Sequence, residues 1–243
     1  MPASAEFRLS ITRALGDQLG EALAELTPAP LTPDQINKIA GRPGVYQLYQ
    51  DGDLVYIGKA EKSLPHRLRE HYEKVSGRRS VGRMTFTCLY VDEDLHAVAP
   101  ETLLIRRHKG DGKAVWNHNG FGLHDPGKQR DTTVVKPTHF DALYPINLDW
   151  VCEDIEPGAY TADVLLARVK ETLPYLFRYQ ADDIHKTIKV ELRDTTPTAD
   201  ELFTLLASAI TDVDARWQIT ALPGYVIMYP SKGPYPNPLA IYS

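Results

Sequence analysis

Residues 44–58 read Gly44-Val45-Tyr46-Gln47-Leu48-Tyr49-Gln50-Asp51-Gly52-Asp53-Leu54-Val55-Tyr56-Ile57-Gly58. Two alternating apolar runs flank Asp51-Gly52, and Asp-Gly between such runs predicts a β-hairpin closed by a tight turn. With the turn centred there, Tyr46 and Tyr56 lie on adjacent antiparallel strands and can project from one face. Leu64 to Val75 then has helical spacing, with Leu64 and Leu68 inward and Arg67 and His71 four residues apart on one side. Met84 to Val91 predicts a third strand. Pro100 suits a first helical position, and the helix continues from Glu101 to His108 until Gly110-Asp111-Gly112 breaks it.

Taken singly these residues are ordinary. A strand tyrosine usually packs, a helical arginine is usually solvated, and a lone glutamate is usually on the surface. Their order and placement carry the information. Two phenols, a guanidinium, an imidazole and a carboxylate could converge, and phosphodiester hydrolysis needs such parts: a base for water, a cation for the charge on phosphorus, and a metal at the leaving oxygen.

Outward from this centre, Phe7, Ile11, Leu15, Leu19, Ala22, Leu23 and Leu26 fall on one broad face of a helix expected over residues 5–26. Thr32-Pro33 opens a short second helix that ends before Gly41-Arg42-Pro43-Gly44. Residues 117–130 are a Gly-rich loop, with a turn at His124-Asp125-Pro126-Gly127. The character of the chain changes between Glu153 and Gly158. Beyond it come a helix over residues 162–173, a strand over 186–192, a Thr198 to Glu201 capping box opening a helix to about Ile210, and one or two strands over 217–229. The Pro-rich end from Pro230 is expected to be irregular. The expected fold class is α+β: a small three-stranded antiparallel sheet flanked by helices, with an N-terminal helical arm (residues 1–40), a central domain (41–152) and a small α+β accessory module (158–243).

The formal charge is −5, unevenly spread: residues 1–54 carry −3, residues 55–136 carry +5 and residues 137–243 carry −7. A local basic stretch steers a polyanion even on an acidic chain. Lys59, Lys62, Arg69, Arg78, Arg79 and Arg83 are therefore candidate DNA contacts, although a solvated helix face explains them about equally well. No apolar run is long enough to span a membrane. Glu6 and Arg8 stand where a secretory leader needs apolar residues, so the cytoplasm is the default compartment. Cys88 and Cys152 belong to no CxxC or Cys/His spacing and read as reduced, buried residues.

Gly44-Val45-Tyr46, then Tyr56-Ile57-Gly58, Arg67 with His71, Glu101 and Asn117 together resemble the GIY-YIG nuclease superfamily, over roughly residues 41–150. Trp116-Asn117, the run from Gly120 to Gly127, Arg130, and the Arg-x-x-x-His helix are most similar to its type II restriction-endonuclease branch. The resemblance implies a hydrolase, a DNA endonuclease leaving 5′-phosphate and 3′-hydroxyl ends. Tyr46 would be general base, His71 would share its proton, Arg67 would hold the phosphate, and Tyr56 would bond phosphate or water. Glu101 would bind one Mg²⁺, with Mn²⁺ able to substitute, and Asn117 would order the site. Lys59 would support phosphate or tune a tyrosine. A repair, mobile-element or phage-defence nuclease targeted or regulated by residues 158–243 is the alternative reading. A homodimer on double-stranded DNA is the expected assembly, since one such site cuts one strand.

Overall fold

A computed structural model of the chain describes residues 11–91, 100–108, 112–122 and 125–243. Phe7 and His124, named in the expectations above, lie outside them. The chain is mixed α+β and divides into two compact units. The first holds residues up to Tyr72 and then Val81–Phe121, and the second holds Glu73–Ser80 and Gly122–Ser243.

In the first unit, helix α1 (Ile11–Ala24) precedes strand β1 (Ala29–Pro30) and the one-turn helix α2 (Pro33–Ile36), which has Thr32 as N-cap and Pro at its start. Strands β2 (Gly44–Gln50) and β3 (Asp53–Ala60) form the hairpin. Asp51 and Gly52 both have positive φ (52° and 96°), the conformation a two-residue turn needs to match the strand twist. Helix α3 (Leu64–Ser76), strand β4 (Met84–Tyr90) and helix α4 (Pro100–His108) follow, with the last turn of α3 counted in the second unit. The sheet runs β1-β4-β2-β3 and is antiparallel throughout. Three strands were expected. The fourth, β1, is two residues long and pairs Ala29 with Phe86 at the sheet edge, where Pro30 needs no ladder partner for a missing N–H.

The two sheet faces take different cargo because side chains alternate. Val45 and Ile57 are fully buried with Leu23 of α1, Leu104 of α4 and Ala114. Gly44, Tyr46, Tyr56 and Gly58 share the opposite face, where α3 lies. There an added Cβ at Gly44 would stand 2.2 Å from the Leu89 carbonyl and 2.7 Å from a Leu64 methyl, so glycine is what lets α3 sit down on the sheet.

The second unit continues with α5 (Phe140–Leu143), β5 (Gly158–Thr161), α6 (Ala162–Thr172), β6 (Phe177–Tyr179), β7 (Lys189–Leu192), α7 (Ala199–Thr211), β8 (Gln218–Ala221), β9 (Val226–Tyr229) and β10 (Ala240–Tyr242). One sheet runs β10-β8-β9-β6, with β6 parallel to β9, and a second pairs β5 with β7. The Thr198–Glu201 capping box is present in full: the Thr198 hydroxyl accepts from the Glu201 N–H and the Glu201 carboxylate accepts from the Thr198 N–H. The end is not wholly irregular, because β10 pairs with β8 and covers its edge. The core of this unit gathers Leu165, Leu166 and Val169 of α6, Leu202, Phe203 and Leu206 of α7, and Trp217. No helix of the described residues is long and apolar enough to cross a membrane.

Candidate active site

The hairpin register sets the site. Tyr46 pairs directly with Gly58, and Leu48 with Tyr56, so the two tyrosines are diagonal neighbours on one face. Their ring centroids are 6.2 Å apart. The Tyr46 ring lies across Gly58: an added Cβ there would be 2.3 Å from both Cζ and Oη of Tyr46. The glycine that ends the second motif is thus the seat of the tyrosine that ends the first.

Helix α3 brings His71 over this seat. The Tyr46 hydroxyl and His71 Nε2 are 2.7 Å apart, and both side chains are fully buried. The imidazole is enclosed by rings, with Tyr56 at 5.1 Å and Phe121 stacked at 5.1 Å and 17°. Arg67, one turn earlier, is 28% exposed and donates to Glu70 at 3.0 Å. Its charge and hydrogen bonding pull both phenols toward ionisation, but burial outweighs this. Tyr46 is held well above the usual phenol range, first by burial and then by Tyr56. Tyr56 is raised by burial and by the Glu101 charge.

Glu101 stands in the first turn of α4, where acidic side chains suit the helix dipole. Burial raises its carboxyl above the usual range, Lys59 and Arg67 oppose this, and Glu61 adds to it. It is a half-buried carboxylate whose charge its neighbours do not fully compensate. Among the described residues no three His, Cys, Asp or Glu side chains gather to hold a metal. A hard divalent cation fits a single carboxylate, because such ions keep most of their water and complete their shell with phosphate oxygens.

Asn117 is placed differently from the others. It ends a short 3₁₀ turn (Val115–Asn117), and its amide clamps one peptide of edge strand β3: Oδ1 accepts from the Ile57 N–H at 2.9 Å, and Nδ2 donates to the Ile57 carbonyl at 2.7 Å. The side chain imitates a neighbouring strand and fixes the strand that carries Tyr56. The turn itself enters through Ala114, held left-handed at φ 54° while its N–H bonds the Leu54 carbonyl.

The basic stretch scatters. Lys59 pairs with Glu61 at 2.9 Å, Lys62 is exposed, and Arg69 is exposed and donates to Asn37 at 2.8 Å. Arg83 is exposed. Arg79, half exposed, pairs with Asp149 at 2.9 Å. Arg78 corrects the reading of a DNA contact: its side chain is 5% exposed, paired with Asp141 at 2.9 Å, and donates to the Tyr144, Pro223 and Gly224 carbonyls. Its charge is used inside the second unit. Phe121 was named only within a motif, and nothing local in the sequence placed its ring on His71.

A comparison with curated proteins finds no match. A scan against protein families matches residues 54–150 to the Eco29kI GIY-YIG domain. The match begins inside β3, so Gly44-Val45-Tyr46 precedes it, and the structure supplies the link by pairing Tyr46 with Gly58. Over residues 54–150, then, this chain is similar to a GIY-YIG nuclease domain of the restriction-endonuclease type.

Proposed function

We propose that the chain is a divalent-metal-dependent endonuclease that cuts double-stranded DNA at specific sites, leaving 5′-phosphate and 3′-hydroxyl ends. The observation that carries this reading is the buried 2.7 Å contact between Tyr46 Oη and His71 Nε2, beside Arg67 and Glu101.

A buried phenol resists direct ionisation at neutral pH, as the upward shift of Tyr46 states. The contact with His71 supplies a route around that barrier. Tyr46 accepts a proton from the attacking water while its own proton passes to Nε2, so no free phenolate accumulates. This requires the His71 tautomer with Nε2 unprotonated at rest. Arg67, half buried and able to leave Glu70, binds the scissile phosphate in a bidentate grip and meets the charge that develops on it. The Tyr56 hydroxyl orients phosphate or water. Glu101 would hold Mg²⁺ or Mn²⁺, and a cation there supplies charge stabilisation at the leaving oxygen. Exposed Lys62 and Arg83 add sequence-independent attraction to the DNA backbone. A homodimer would bring the second site that a double-strand break needs.

The test is digestion of plasmid DNA with a divalent cation and sequencing of the ends. Discrete ends at a recurring sequence support the reading. Random ends would remove site specificity, and cleavage undiminished in excess chelator would remove Glu101 from its metal role.

A further inference from the structure

One guanidinium in the second unit closes a loop. Arg178 of β6 donates through Nη1 to Asp125 and through Nη2 to Asp131, the two ends of a seven-residue segment. Its Nε donates to the Tyr229 hydroxyl at 2.9 Å. The Asp131 side chain is 3% exposed and also accepts from the Tyr225 hydroxyl at 2.8 Å. Within the loop, the Asp125 carboxylate accepts from the Gly127 N–H at 2.8 Å, and Gly127 turns the chain at φ 84°, a value that favours glycine.

The tip of this loop is the short turn Lys128–Arg130, and all three of its side chains are exposed. The two acids of the segment are both engaged by Arg178. Among the described residues Lys128 and Arg130 form no ion pair, and the Lys128 ammonium lies 4.4 Å from the Tyr229 ring centroid. The loop therefore presents two cations with an amide between them on a hydrogen-bonded base. The tip lies inside the family-matched residues, whereas Arg178, Tyr225 and Tyr229 lie beyond them.

Resting on the nuclease reading above, we infer that Lys128, Gln129 and Arg130 form a DNA-contacting surface, and that residues 158–243 serve to hold it in shape through Arg178, Tyr225 and Tyr229. Rigid placement matters because a preformed contact loses less entropy on binding. It also gives the acidic part of the chain a task on DNA that its net charge alone would argue against.

The test is binding of a mixed-sequence DNA duplex in chelator, so that no cleavage intervenes, followed across salt concentrations. The exposed double variant Lys128→Ala/Arg130→Ala should weaken binding roughly 10- to 100-fold at low salt and lower the salt slope by about 2, one for each lost phosphate contact. Tyr225→Phe/Tyr229→Phe changes no charge. It should speed amide exchange across residues 125–131 and weaken binding while keeping the wild-type salt slope. Wild-type affinity and slope in the first variant would overturn the surface. Wild-type affinity in the second, with exchange accelerated, would overturn the holding role. If the wild-type protein binds DNA but never cuts it, the nuclease reading fails while this surface stands.

Discussion

The two polar clusters of this chain are built from nearly the same parts and are paired in opposite ways. The first unit gathers Tyr46, Tyr56, Arg67 and Glu101, and the second gathers Tyr225, Tyr229, Arg178 and Asp131. In the second cluster the carboxylate and guanidinium touch, the phenols bond to the pair, and each charge is met by its neighbour. In the first, Arg67 turns to Glu70, burial pushes Glu101 above the usual carboxylate range, and burial holds Tyr46 neutral. A closed cluster is a fastener. An open one leaves the Glu101 charge incompletely met, and on the proposed reading cation and phosphate complete it. Residue type alone does not separate them; the pairing does.

That contrast can be broken by substitution. Removing Asp131 or Arg178 by Asp131→Ala or Arg178→Met leaves a charge unpaired, and urea unfolding should show a loss of about 3–5 kcal/mol. Arg67→Ala and Glu101→Gln should leave unfolding near wild type and cut the DNA cleavage rate by about 10²- to 10³-fold. The contrast fails if the two pairs of variants behave alike. Tyr46→Phe sharpens it further: on the order of 10²-fold slower cleavage, with DNA affinity retained, is the result expected when a general base alone is lost. Gly58→Ala should act through Tyr46, because the new methyl occupies the ring's place. A cost of about 1–3 kcal/mol is expected, together with slower cleavage.

The smallest effect concerns pH. The Glu101 carboxyl is raised in the fold, so the folded state holds that proton more tightly than the unfolded chain. The resulting stability is present below the usual carboxylate range and is lost as pH rises through the raised value. In chelator, Glu101→Gln should remove this slope and gain on wild type as pH rises above the usual carboxylate range, on the order of tenths of a kcal/mol up to 1. Equal slopes in urea titrations would show that the carboxylate is not strained.

How far the sequence discloses these features depends on how local their signals are. The hairpin is legible because period-two alternation and Asp51-Gly52 lie within fifteen residues. The capping box is legible in four. The strands β1, β6 and β10 are two or three residues long, too short for any period, and β6 pairs in parallel with a strand far along the chain. Arg78 misleads for the same reason: its partners Asp141, Pro223 and Gly224 are distant in sequence, and nothing beside Arg78 separates an inward arginine from an exposed one. The Arg67–His71 spacing is visible at once, whereas the enclosure of His71 by Phe121 needs the fold.

The most direct measurement is a plasmid digestion comparing wild type with Glu101→Gln across a divalent-cation titration. Supercoiled DNA should be cut by wild type only when the cation is present, and the variant should be slower by about 10²-fold or more at every concentration. Intact plasmid with wild type under all divalent cations, or cutting by Glu101→Gln at the wild-type rate, would contradict the assignment of the open cluster as the nuclease site.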